Sequence, residues 1–374
     1  MMLYVRCAVL LSVLVSSIAF AQSGTIEEQF RNAVTAQERG DFAAAVREYR
    51  ELLRANPNLV DARANLAASL VHLGQFDEAV AEYRTALKQD PTNKDIRLNL
   101  ALAFYKKGDL SQAAIELDSL LKTEPGNTRF ATLLADCYSR MGDDTKAIAL
   151  LKPLQADHPE DLDLDYVLGS AFIRSGKTDE GVPLLERVGR EGNSADAYLL
   201  AGSALFKQDE KSRAVDDLQA AARLNPNLPG LATQLGIAKE GSGDAEGAEQ
   251  DLRKAVQLNP TDFEATVHLG GVLYSQRKLD EARVYIEKAL ALKPDSLFAL
   301  YEMALLESAA GQDEAAVSAL ERVERGEPDW LDPHVRLAAL YYKVKRPADG
   351  LRERQIVDKL TAEQQKQGPT PPVR

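Results

Sequence analysis

The sequence predicts an all-α fold made of one helix pair repeated along the chain, and three observations carry that prediction. The first is a ruler of prolines. Pro57, Pro91, Pro125 and Pro159 stand 34 residues apart, as do Pro226, Pro260, Pro294 and Pro328, and the gap between Pro159 and Pro226 is 67, one residue short of two periods. A fixed period of this length marks an array of one supersecondary unit. The second is a pair of columns that never hold a large side chain. Position eight of each register reads Ala33, Ala67, Ala101, Ala135, Gly169, Gly202, Gly236, Gly270, Ala304 and Ala338, and position twenty reads Ala45, Ala79, Ala113, Ala147, Gly181, Ala214, Ala248, Ala282, Ala316 and Gly350. Two backbones approach closely where only small residues are found. The third is apolar spacing at the helical period, with Leu66, Leu70 and Leu73 on one stripe and Val80, Tyr83 and Leu87 on the next.

Taken in order, residues 1–21 come first and read differently from the rest. Arg6 supplies one positive charge, Ala8 to Ile18 is an apolar run with serines, and Ala19-Phe20-Ala21 has the small-x-small form of a cleavage site. This is the pattern of a secretory signal peptide, with an uncleaved anchor as the alternative. Cys7 precedes the apolar run, which argues against a lipoprotein. The array, 22–362, divides into registers 26–59, 60–93, 94–127, 128–161, 162–194, 195–228, 229–262, 263–296, 297–330 and a degenerate 331–362. Within each, position seven is large and apolar in eight of ten registers, beginning Leu66, Leu100, Leu134 and Leu168, and it fills the space the small columns leave. Position fifteen carries Gly40, Gly74, Gly108, Gly142, Gly176, Gly243 and Gly311, as expected where the first helix of a pair ends. The segment from Gly189 to Ser194 is one residue short and lacks the proline, which predicts either a flexible joint or a tightened turn. The tail, 363–374, is polar and proline-rich and is predicted to be disordered.

These features resemble the tetratricopeptide repeat. The stretches HLGQFDEAVAEYRTALKQDP (72–91) and RKLDEARVYIEKALALKP (277–294) are similar to that family's second-helix pattern, with the small residue at position twenty, Ala at twenty-seven and Pro at thirty-two. The likeness runs from residue 26 to about 360. It implies a right-handed superhelical solenoid of antiparallel helix pairs, with the first helix of each pair lining a concave groove. The departures are local: Asp209, Arg277 and Lys345 replace the helix-ending glycine, and the last register lacks the terminal motif.

Composition narrows the function. The chain has a formal net charge of −12, and loss of residues 1–21 would remove Arg6 and no acid, giving −13. So acidic a chain repels phosphate backbones, which argues against nucleic acid and anionic lipid as partners. Of two cysteines only Cys137 lies in the array, where a small buried residue is expected, so no internal disulfide is available. The histidines His72, His158, His268 and His334 fall in different registers with no paired ligands at zinc spacing, and no Gly-rich phosphate loop follows a strand. No metal, cofactor or catalytic site is therefore expected, and the chain reads as no enzyme.

What remains is recognition. By the resemblance, positions 2, 5, 6, 9, 12 and 13 face the groove. Position thirteen supplies His72, Lys106, Arg140, Arg174 and Lys207; Tyr105, Tyr166 and Phe206 flank them, and Asn65 and Asn99 stand at position six. The C-terminal half offers Tyr274, Phe298 and Tyr301 with Glu240 and Glu302. The basic column suits an acidic segment or a C-terminal carboxylate, although cations at helix ends are also favoured by the helix dipole alone. The family's chaperone-tail clamp is not expected, since Phe30, Val34, Ala64 and Ala68 occupy its places. The sequence thus predicts an exported protein-binding scaffold, periplasmic or secreted, that organises envelope or secretion assemblies. A small-ligand or glycan-binding role, or an accessory subunit of an envelope enzyme, is the alternative.

Overall fold

The structure, a computed structural model, describes residues 25–367, with side chains to residue 365. The expected segment 1–21 lies outside the described residues, as does most of the expected tail. Among the described residues there are twenty helices and no strand. The chain divides into two units, one ending at Ser175 and one beginning at Gly176.

The first unit holds α1 (25–38), α2 (Phe42–Ala55), α3 (Val60–His72), α4 (Phe76–Gln89), α5 (Lys94–Lys107), α6 (Leu110–Thr123), α7 (Thr128–Arg140), α8 (Asp144–Asp157) and α9 (Leu162–Arg174). The second holds α10 (Thr178–Glu191), α11 (Ala195–Lys207), α12 (Lys211–Leu224), α13 (Leu231–Ser242), α14 (Ala245–Leu258), α15 (Phe263–Ser275), α16 (Leu279–Leu292), α17 (Leu297–Ala309), α18 (Asp313–Gly326), α19 (Leu331–Lys343) and α20 (Pro347–Gln367). Within each unit consecutive helices pack on one another, which is the helical-repeat solenoid the ruler predicts.

Local chemistry sets the ends of these helices. The last position of a register caps the next first helix: Asn93, Asn127, Asp161, Asp262 and Ser296 each accept a hydrogen bond from a backbone N–H three residues on. Asp41, Asp109, Asp143 and Asp244 do the same for second helices. At position fifteen the backbone is left-handed whatever the residue. Gly108 has φ +87°, and Asp209, Arg277 and Lys345 are forced to +64°, +63° and +58°.

The small columns are where helices meet. Every alanine of the position-twenty column, from Ala45 to Ala316, is fully buried. Leu66, Leu100, Leu134, Leu269 and Leu337 are buried beside them. Cys137 is buried as expected, and burial pushes its thiol up to about 11.

The structure bears on two expectations. Of the two readings of the short segment after Gly189 it takes the tightened turn: α10 runs to Glu191, a methyl group on Gly189 would stand 2.6 Å from the Tyr198 ring, and Asn193 turns the chain at φ +51° before Ser194 caps α11. The missing residue tightens the turn because Gly189 lets the ring of Tyr198 lie on the helix backbone. The boundary at 362 also moves, since α20 continues to Gln367. Ala362-Glu363-Gln364-Gln365-Lys366-Gln367 consists of good helix formers, and the first helix breaker is Gly368.

Candidate functional site

First helices touch the first helices of neighbouring repeats: α3 meets α5 and α7 meets α9 in the first unit, and α11, α13, α15 and α17 meet in sequence in the second. They therefore form the closer-packed layer of each unit, on which the candidate residues stand.

In the first unit the cations of position thirteen do not form a free row. Arg174 forks onto Asp144, with Nε 3.0 Å and a terminal nitrogen 2.9 Å from Oδ1. Asp144 opens α8, the second helix of the preceding repeat. His72 makes the equivalent contact by stacking on Phe42, ring centroids 4.1 Å apart and planes 1° from parallel. Lys107 reaches Asp77 across the same 30-residue step. In these three repeats the end of the first helix is thus tied to the start of the preceding second helix, twice through a cation that the helix dipole already favours there. Arg140 lies 4.7 Å from the Tyr105 ring centroid, and the Tyr105 hydroxyl donates to Asp136. Burial raises the Tyr105 phenol, helped by the Asp136 carboxylate and opposed by Arg140. Lys106 and Asn99 are exposed and Tyr166 is half-buried. Asn65 is half-buried beside the Tyr49 phenol, which donates to Gln37 Oε1 at 3.0 Å and which burial pushes up to about 12, opposed by Asn65. At the start of the unit, an open pocket of about 580 Å³ between α1 and α3 is lined by Ile26, Phe30, Val34 and Leu59.

In the second unit Phe206 packs beside Gly241, where a methyl group would stand 3.0 Å from its ring, and Lys207 is exposed. Further on, α13, α15 and α17 bring together a set of groups the sequence separates by some sixty residues. His268 Nδ1 lies 2.7 Å from Glu240 Oε2, and its ring is tilted on Phe298 at 5.1 Å. Gly271 sits between two carboxylates: a methyl group on it would be 3.4 Å from Glu302 Oε2 and 3.7 Å from Glu240 Oε1. Tyr274 is half-buried on the same helix. Tyr301 lies 4.8 Å from Trp330, and burial raises its phenol, opposed by the neighbouring Arg336.

Sequence reasoning named Tyr274, Phe298, Tyr301 and the two carboxylates but missed His268, Gly271, Trp330 and Arg336. His268 and Arg336 stand at position six and Gly271 at position nine, so the groove positions, read for every register, hold the signal. Among the described residues one set of metal-capable groups converges, Glu324, His334 and Glu353, away from these surfaces on α18, α19 and α20. The set is not visible in the sequence because its three members come from three helices.

Models of the family described as tetratricopeptide repeat match residues 70–134, 116–171 and 241–306, and a second such model matches 30–94 and 166–229. Human protein O-mannosyl-transferase TMTC1 is 32% identical over 113 residues, which is 29% of this chain and 13% of that protein. The chain thus spans a small part of that relative's length. A tetratricopeptide repeat protein from Parabacteroides merdae aligns over 66% of this chain and 98% of its own, with TM-score 0.52 and 18% identity. The crystal structure of MamA aligns over 43% of this chain and 95% of its own, with TM-score 0.41 and 28% identity. Among the described residues no helix is long and apolar enough to cross a membrane.

Proposed function

Because this chain belongs to the tetratricopeptide-repeat family, we propose that it is a protein-binding scaffold whose inner face in the second unit grips an extended segment carrying a cationic side chain among apolar ones. The observation that carries this reading is Gly271. Its missing side chain leaves a gap flanked by the Glu240 and Glu302 carboxylates. An Arg or Lys entering there gains charge-assisted hydrogen bonds in a partly desolvated place, while Tyr274 and Phe298 offer apolar and aromatic contact. The overall negative charge adds attraction for such a segment at long range.

The basic column of the first unit is the competing surface, suited to an acidic segment or a chain-terminal carboxylate. Arg174 would have to leave Asp144 to serve it, and Arg140 to leave Tyr105. The reading extends to location. Arg6, the apolar run after it and Ala19-Phe20-Ala21 support export to the periplasm or beyond, where a scaffold of this kind would organise envelope or secretion assemblies.

Binding of the full chain to an array of random peptides tests the choice of surface. Selected peptides should carry Lys or Arg next to Leu, Phe or Tyr, and Glu240→Gln with Glu302→Gln should weaken them by about tenfold or more. Selection of acidic peptides, abolished by Arg140→Glu with Arg174→Glu, would move the site to the first unit.

A further inference from the structure

Position four of a register, position twenty-three of the same register and the proline carbonyl before them form a repeated staple. In the second register Arg63 binds Glu82 at 2.5 Å and the Pro57 carbonyl at 2.7 Å. In the third, Arg97 binds Glu116 at 2.7 Å and the Pro91 carbonyl at 3.1 Å. The last register keeps this geometry with different chemistry. His334 replaces the arginine, with Nδ1 2.6 Å from Glu353 Oε2 and Nε2 2.9 Å from the Pro328 carbonyl.

A second change accompanies the first. Position twenty-eight of the register before each arginine is Leu53 or Leu87, whereas before His334 it is Glu324. An Arg–Glu pair has become a Glu–His–Glu triad, whose ligating atoms all lie within 4.8 Å of one another. His334 and Glu353 are each 1% exposed, and Glu353 Oε1 has no hydrogen-bond partner. The nearest cation to that oxygen, Arg352, has its Nε 4.0 Å away, too far for a hydrogen bond.

We propose that Glu324, His334 and Glu353 form a site for a divalent transition-metal ion that fastens α20 to α18 and α19. A carbonyl can only accept, so the Pro328 oxygen fixes a proton on Nε2, and Nδ1 faces the carboxylates as the nitrogen a metal would take in place of the proton it shares with Glu353 Oε2. Metal-bound histidines are held in this way, with the second ring nitrogen donating to a carbonyl. A neutral imidazole with two carboxylates leaves two negative charges to balance, which one divalent ion supplies. The donor set of one imidazole nitrogen and two carboxylate oxygens suits Zn²⁺, Mn²⁺ or Fe²⁺ better than Ca²⁺, and the half-buried edge at Glu324 leaves a way in.

The test is titration of the full, metal-stripped chain with Zn²⁺ against a chromophoric chelator, with thermal unfolding in parallel. We expect one equivalent per chain at micromolar affinity or tighter, a raised unfolding midpoint, and slowed hydrogen exchange in α20. His334→Arg and Glu324→Leu install the residues that earlier registers carry at these positions. Each should keep its helical circular dichroism and lose that equivalent. Absence of saturable binding in the wild-type chain would overturn the proposal. So would retention of the equivalent by His334→Arg, which would put the ion elsewhere, or by Glu324→Leu, which would exclude the triad.

Discussion

Gly270 lies against Ile286 so closely that a methyl group on it would stand 2.3 Å from the Ile286 Cδ1 atom. The same relation, position eight against position twenty-four, joins Gly202 to Leu218 and Gly236 to Leu252. Glycine there is a packing requirement, because the facing side chain uses the volume that a Cβ would need.

Replacing Gly270 by Ala should therefore overpack the α15–α16 contact by about 1–3 kcal/mol, offset by about 1 kcal/mol of helix propensity. Ile286→Val removes the obstructing methyl group. A double-mutant cycle by urea denaturation should show the pair to be coupled by about 1 kcal/mol, the double variant being more stable than the sum of the singles. Additive effects would contradict the clash.

Arg277, Asp209 and Lys345 occupy the left-handed position that other registers give to glycine. That conformation costs an L-residue about 1–2 kcal/mol, and the added freedom of unfolded glycine returns up to about 1 kcal/mol. Each change to Gly should stabilise the chain by about 0.5–1 kcal/mol on balance, read as a higher unfolding midpoint. An unchanged or lowered midpoint at all three would mean that their side chains hold contacts worth more than the strain.

Asp217 is buried on α12 with its Oδ2 atom unpaired, and burial pushes its carboxyl up to about 7, reinforced by Glu186 and opposed by Arg213. The folded chain keeps this proton to about pH 7, whereas the unfolded chain releases it near pH 4. Stability should consequently fall as pH rises through that window. Asp217→Asn should flatten this part of the profile relative to wild type and gain about 1–3 kcal/mol at pH 8. Parallel profiles for the two proteins would show that Asp217 is ionised in the folded state.

The fork of Arg174 on Asp144 is partly exposed, so it should contribute about 0.2–1 kcal/mol. Arg174→Glu should lower stability slightly, and Asp144→Arg added to it should restore the loss with the charges exchanged. If the exchanged pair also keeps peptide binding intact, position thirteen serves repeat stacking. If binding is lost while stability returns, the cation itself meets the partner.

The repeat was legible because it depends on side-chain size at fixed places. Ala113 and Leu100 say where helices must touch, and Gly108 says where the first helix must end, without knowledge of any partner. The candidate surfaces were legible only as columns. Arg140 and Arg174 look alike in the sequence, yet one lies over Tyr105 and the other is forked onto Asp144. Such choices depend on which charge or ring the preceding repeat presents some 30 residues away, and each is decided by about 1 kcal/mol or less.

By itself, then, the sequence determined the all-α repeat, its period and registers, its small columns and its turn positions. Burial of apolar area and steric exclusion act through residue types that recur every 34 positions. Only the tertiary structure decided which polar groups meet: Glu240 and Glu302 about Gly271, and Glu324, His334 and Glu353 at the end of the array. Each set is drawn from three helices, so its members come together only when those helices have packed. Which of these groups can act together follows from that packing, since the helices set the distances between them.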